Sequence, residues 1–187
     1  MKHLILIISF FISVSAAFSQ QFNGVNISGD LPTAINSFKE KGYTTSKFIT
    51  NGVIMNGKVG NTEIELFLLT TPKSKKLYKA TVYLPTKETW YAIKQNYLDY
   101  LEVLTTKYGT PHQSYDFFSK PYFEGDGYEM SALKLEKCTY SAFWLNVDNT
   151  SIVIQISKYN QVMISYQNDA NQKIAASERD AQNNVSF

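Results

Sequence analysis

From Trp90 to Tyr108 apolar side chains recur every three or four positions: Trp90, Ile93, Tyr97, Leu101, Leu104 and Tyr108. That spacing gathers them into one stripe along an α-helix. The opposite side carries Lys87, Gln95, Asp99, Glu102 and Thr106. Thr86 is placed to cap the start, and Gly109 followed by Pro111 marks the end, so a helix is expected over 87–109. On both sides of it the period drops to two. Ile64, Leu66 and Leu68 alternate with Glu63, Glu65 and Phe67. Tyr78, Ala80, Val82 and Leu84 share a face, as do Ile152, Ile154 and Ile156. Alternation of this kind predicts strands with one buried face.

Taken in order, Gln21 to Gly29 is a short lead-in or edge strand. Asp30 and Pro32 then open a first helix that runs to about Lys41, with Leu31, Ala34, Ile35 and Phe38 inward and Gly42 as its stop. Strands are expected at 44–50, 53–59, 62–70, 77–84, 112–118, 129–136, 138–146, 151–157 and 161–167, the 129–136 strand pairing with the one after it. Asn51-Gly52, Gly60-Asn61, Asp148-Asn149 and Tyr159-Asn160 supply turns. Residues 170–180 form a loose helix in a polar tail, 170–187. Helix followed by meander occurs twice, as half-units 29–85 and 86–169 of a single domain, 20–169. The expected fold class is α+β: a mostly antiparallel sheet with two helices packed on one face and the other face more open.

Composition adds an address. Lys2 precedes an apolar run from Leu4 to Val14, and Ser15, Ala16, Ala17 and Ser19 follow. This is the layout of a secretory signal peptide, 1–19, cleaved after Ser19. The run is too short to cross a bilayer, so no membrane span is expected after cleavage, and the protein is expected in the periplasm or outside the cell. A formal charge of +2 without a basic tract speaks against nucleic acid as a partner. The one cysteine, Cys138, lies in a strand pattern, as a buried thiol or an intermolecular link. The 13 tyrosines and 12 phenylalanines suit half-buried strand faces.

Catalytic chemistry finds little to work with. His112 is the one histidine beyond the signal peptide, at a turn, and no zinc, nucleophile-elbow or phosphate-loop motif occurs. No cofactor or metal is implied. Glu124, Asp126 and Glu129 cluster in FEGDGYE. Three readings of them stand: an exposed turn, an oxygen-ligand calcium site, or a carboxylate pair for a hydrolase. The same region is crowded with rings. Tyr115, Phe117, Phe118, Tyr122, Phe123 and Tyr128 either enter the core or are displayed as anchors for a protein or a glycan. Tyr122, Phe123, Tyr128 and Phe118 are the candidate binding residues. Trp90 and Trp144 read as core residues. Lys73, Lys75 and Lys76 form a basic turn.

The leader ending AFSQQF, the KETW and KYGTP ends of the central helix, the EGDGYE loop and the closing ISKYNQVMISY resemble small secreted Bacteroidetes-type proteins of unassigned function. The tandem helix-plus-meander order resembles the fold of the β-lactamase inhibitor proteins and, more loosely, outer-membrane assembly lipoproteins. The inhibitors' paired disulfides and the lipoprotein cysteine are both lacking here. The function expected is an exported, non-catalytic binding or interaction domain with a protein or glycan partner. The alternatives are a periplasmic carrier or sensor of a small molecule or glycan fragment, and a carboxylate-based hydrolase.

Overall fold

The computed structural model describes residues 21–147 and 149–183; the expected signal peptide lies outside them. The architecture is α+β. Eight strands form one antiparallel sheet in the order β3-β4-β5-β6-β10-β9-β8-β7, and β1 (Gln21–Phe22) and β2 (Val25–Asn26) form a separate small hairpin. The strands of the large sheet are β3 (Thr44–Ile49), β4 (Gly52–Val59), β5 (Thr62–Thr70), β6 (Leu77–Tyr83), β7 (Gln113–Phe118), β8 (Cys138–Val147), β9 (Thr150–Ser157) and β10 (Gln161–Asn168). Each half of the chain is therefore a four-stranded meander. Their last strands, β6 and β10, pair antiparallel at the centre, and their first strands, β3 and β7, become the two outer edges.

Helix α1 (Leu31–Glu40) starts as its sequence dictates. The Asp30 carboxylate accepts the Thr33 N–H at 2.9 Å, and Ala34, Ile35 and Phe38 are buried. Helix α2 (Trp90–Tyr108) buries Ile93, Tyr97 and Leu104, while Trp90, Leu101 and Tyr108 pack partly buried beside them. The whole expected stripe thus faces the sheet. Its cap is Thr89, whose hydroxyl accepts the Ala92 N–H at 3.2 Å, and not Thr86. Ahead of it the Lys87 N–H donates to the Asn160 carbonyl at 2.8 Å, which ties the approach to α2 to the β9–β10 turn.

Both helices cover one face. Beneath them lie Met55, Leu66, Leu68, Val82, Ile164, Ile154, Ala142 and Trp144, all buried. The β1–β2 hairpin (Gln21–Phe22, Val25–Asn26) adds Phe22 to that core, 6.1 Å from the Phe38 ring and 5.4 Å from Tyr166. It does not extend the large sheet. The expected turns form with left-handed residues at Asn51, Gly60 and Asn160; at 148–149, Asn149 is left-handed and Asp148 lies outside the described residues.

One element differs in kind. Residues 129–136, expected as a strand paired with the next one, contain a short helix, α3 (Glu129–Lys134), and β8 pairs with β7 instead. Ala132 and Leu133 are neighbours in sequence and both buried, which a strand could not achieve on one face. The polar tail also gains definition as α4 (Asp169–Asn183). The Asn171 side-chain amide donates to the Ser28 and Leu77 carbonyls at 3.2 and 2.8 Å. The Glu178 carboxylate receives the Lys73 and Ser74 N–H groups. α4 therefore runs from the end of β10 past the start of β6 to the β5–β6 turn.

Candidate functional site

Directly paired residues of antiparallel strands share a face. The register therefore defines what the face opposite α1 and α2 carries. One row crosses from β4 to β7 as Ile54, Phe67, Thr81, Ser165, Val153, Phe143 and Gln113. The next reads Asn56, Glu65, Tyr83, Met163, Gln155, Ser141 and Tyr115. A third, shorter row reads Gly52, Leu69, Lys79, Gln167 and Ser151.

These rows are far richer in apolar and aromatic groups than a solvated strand face requires. Phe67, Tyr83, Met163, Val153 and Phe143 are half-buried, and the small Thr81, Ser165 and Ser141 are closed in between them. Phe67 and Tyr83 pack against each other across β5 and β6, tilted, with ring centres 4.6 Å apart. Tyr115 meets Phe143 at 6.0 Å and Phe117 at 6.5 Å at the β7 edge. The Thr81 and Ser165 hydroxyls hydrogen-bond to each other at 3.0 Å, so each has a polar partner within the face. Charge is concentrated on the β4–β6 side. Lys58 pairs with Glu63 at 3.5 Å, and Glu65 stands beside Tyr83. Lys79 is different: it is half-buried, has no acidic partner among the described residues, and burial pushes its ammonium below the usual lysine range.

The 119–128 loop lies at one end of this sheet. Its acidic residues are brought near each other in sequence but take separate partners. The Glu124 carboxylate accepts from the Lys94 ammonium, from Trp90 Nε1 at 3.2 Å and from the Tyr140 hydroxyl at 3.1 Å. Lys94 holds it below the usual carboxylate range. Asp126 receives the Phe123 and Tyr128 N–H groups at 3.0 and 2.7 Å, and Glu129 receives the Gly125 N–H at 2.8 Å. These contacts fold a turn and pin it to α2. Among the described residues no group of three or more His, Cys, Asp or Glu side chains is gathered as a metal site.

The candidate rings divide. Phe118 and Tyr122 pack partly buried on the core, Phe118 at 5.3 Å from Trp90 and 6.3 Å from Tyr140. Phe123 and Tyr128 are displayed, at 62% and 65% exposure. Trp144 is buried with its Nε1 donating to the Gly109 carbonyl at 2.7 Å, and His112 Nδ1 accepts the Leu145 N–H at 3.2 Å. Cys138 is a free, buried thiol pushed up to about 12, chiefly by burial.

Two clefts border Tyr83. The larger, about 740 Å³, lies at the end of β4–β6 and is lined by charged and polar groups including Lys41, Lys58, Glu63 and Glu65, with Tyr83 as its one ring. The smaller, about 400 Å³, includes Cys138, Tyr140, Gln155, Tyr159 and Met163. The side chains that sequence reasoning did not single out are Phe67, Tyr83, Met163 and Lys79. Phe67 carried a signal: it is an aromatic residue in register with Glu63 and Glu65.

Compared with family models, curated proteins and solved structures, the chain matches none. Among the described residues no helix is long and apolar enough to cross a membrane.

Proposed function

We propose that the protein is an exported, non-catalytic interaction domain that grips a protein partner on its uncovered sheet face, with the 119–128 loop as a second contact. The observation that carries this reading is the face itself. Rings and aliphatic side chains run across it from Ile54 to Tyr115, with α1 and α2 on the opposite face and α4 packed against β6 and β10 near Tyr78. Half-buried aromatic residues with small hydroxyl neighbours are the groups that a partner can desolvate cheaply. Lys79 supplies a cation that costs stability in the free protein and gains from an acidic residue brought by the partner. Phe123 and Tyr128 are exposed rings of the 119–128 loop, which is pinned to α2.

The carrier reading draws support from the 740 Å³ cleft, which is large enough for a small molecule. Its lining is charged rather than ring-rich, which fits a polar ligand better than a stacked sugar. The hydrolase reading needs a carboxyl with a raised pKa opposite a second one. Glu124 is instead lowered by its ion pair with Lys94, and Asp126 and Glu129 are spent on backbone N–H groups.

The test is photo-crosslinking in the producing cell with a photoreactive phenylalanine at Phe67 or Phe123, and at Glu102 on the exposed side of α2 for comparison. A discrete protein adduct at the first two positions, absent at the third, is expected. Adducts of equal yield at all three positions would overturn the reading.

A further inference from the structure

The two edges of the sheet are built differently. β3 carries devices that discourage a further strand: its register shifts between Thr45 and Lys47, and Lys47 stands in the strand. β7 has neither a lysine nor a proline; its one charge is Asp116, and its irregularity is confined to its start, where the His112 N–H donates to the Phe143 carbonyl at 2.8 Å. Its register with β8 is unbroken from Gln113 opposite Phe143 to Phe118 opposite Cys138, and its residues from Gln113 to Phe117 are exposed.

The ladder also says which backbone groups are free. Ser119 N–H donates to the Lys137 carbonyl at 2.7 Å, continuing the register of β7 with β8 by one residue. Bonded pairs recur at every second residue in an antiparallel ladder. Gln113, Tyr115 and Phe117 thus bond to β8, whereas Ser114, Asp116 and Phe118 turn their N–H and C=O groups outward.

We propose that a second copy of the chain adds its own β7 to this edge, antiparallel, about a two-fold axis at Tyr115. In this register Ser114 of one copy pairs with Asp116 of the other, twice. Each of these pairs exchanges two N–H···O=C bonds, which closes the outward groups of residues 114 and 116. The Asp116 carboxylate meets a Ser114 hydroxyl rather than a second carboxylate. Moving the axis to Asp116 would set the two carboxylates opposite each other, which is unfavourable. Tyr115 meets Tyr115 in a close, non-bonded pair. Tyr115 and Phe117, 43% and 48% exposed in the single chain, then lie in the middle of one continuous face made from two uncovered sheets. The contact is small, so the dimer is weak and dependent on concentration. This inference stands on the β7 edge and is independent of the binding reading above.

Sedimentation velocity on the purified protein, over two decades of concentration from the micromolar range upward, tests it. The native chain is expected to shift from monomer towards dimer. Ser114→Pro removes an outward N–H and leaves the β8 ladder intact. Tyr115→Arg places like charges across the axis without touching any backbone bond, and so serves even if the proline variant misfolds. Both are expected to remain monomeric at every concentration. Tyr115→Cys in a Cys138→Ala background should form a disulfide dimer on mild oxidation, because directly opposed residues have Cα atoms within bridging distance. Phe48→Cys on β3 in the same background should not. A native chain that stays monomeric throughout, or a dimer that Tyr115→Arg leaves unchanged, overturns the proposal.

Discussion

Replacing Lys79 with methionine should make the protein more stable. Lys79 sits on β6 between Leu69 and Gln167, half-buried, and no carboxylate among the described residues approaches it. Its one resolved perturbation is burial, which disfavours the charged form. Methionine keeps the length of the stem, fills the same space and removes the charge. A gain of about 0.5–2 kcal/mol is expected, the usual range for relieving a local conflict on a surface. With a urea slope of about 2 kcal/mol per molar, the unfolding midpoint would rise by roughly 0.3–1 M. The pH dependence gives a sharper check. The folded-state pKa of Lys79 lies below its unfolded value, so across the window between the two the unfolded chain binds more protons. The native protein therefore gains stability relative to Lys79→Met as pH rises through that window, and the gap between them narrows. Below the folded pKa both states of the native protein are charged and the gap is at its widest. Urea titrations at neutral pH and near the ordinary lysine pKa would show this. A destabilised Lys79→Met, or a gap that does not move with pH, would refute the reasoning.

Other outcomes follow from single contacts. A Cβ at Gly57 would lie 2.2 Å from the Tyr43 ring, which is buried, 5.2 Å from the Phe38 ring and bonded through its hydroxyl to the Lys58 carbonyl at 3.1 Å. Gly57→Ala should cost about 1–3 kcal/mol by overpacking, read from urea unfolding, and a midpoint equal to that of the native protein would contradict the packing. Glu124→Gln should lose about 1 kcal/mol at neutral pH and free the 119–128 loop for limited proteolysis, since the side chain is 44% exposed and solvent screens the Lys94 pair. Because Glu124 has a lowered folded pKa, that difference should disappear as acid titrates the native carboxylate. Cys138 should resist alkylation in the folded protein at mildly alkaline pH and react once urea is added; rapid native labelling would contradict its burial.

Much of the fold could be read from periodicity because one face of the inner strands, and a stripe of α1 and α2, is buried. Ile64, Leu66 and Leu68 have to point one way and Trp90, Ile93 and Tyr97 another, so period and element type were bound together. The failures came where burial is slight or distant residues decide. α3 spans 6 residues, too short for a helical period to separate from alternation. Thr86 and Thr89 offer the same capping hydroxyl, and local pattern does not say which of them accepts a helix N–H, as Thr89 does from Ala92. The same limit governs the candidate site. Alternation shows that Phe67 and Tyr83 lie opposite the core face. Whether another element then covers them depends on where α1, α2 and α4 pack, which no local pattern carries. Likewise FEGDGYE shows three acids, but only the folded loop shows that Glu124 turns to Lys94 while its neighbours bind the backbone.

The most direct test of the interaction reading is the photo-crosslinking yield at Phe67, a half-buried ring on β5 of the uncovered face, measured against Glu102 in the producing cell. A single protein adduct at Phe67, lost when Tyr83 is replaced by lysine, is the predicted result. If no adduct forms at Phe67 while the protein is present and folded, the uncovered face does not meet a partner and the account is contradicted.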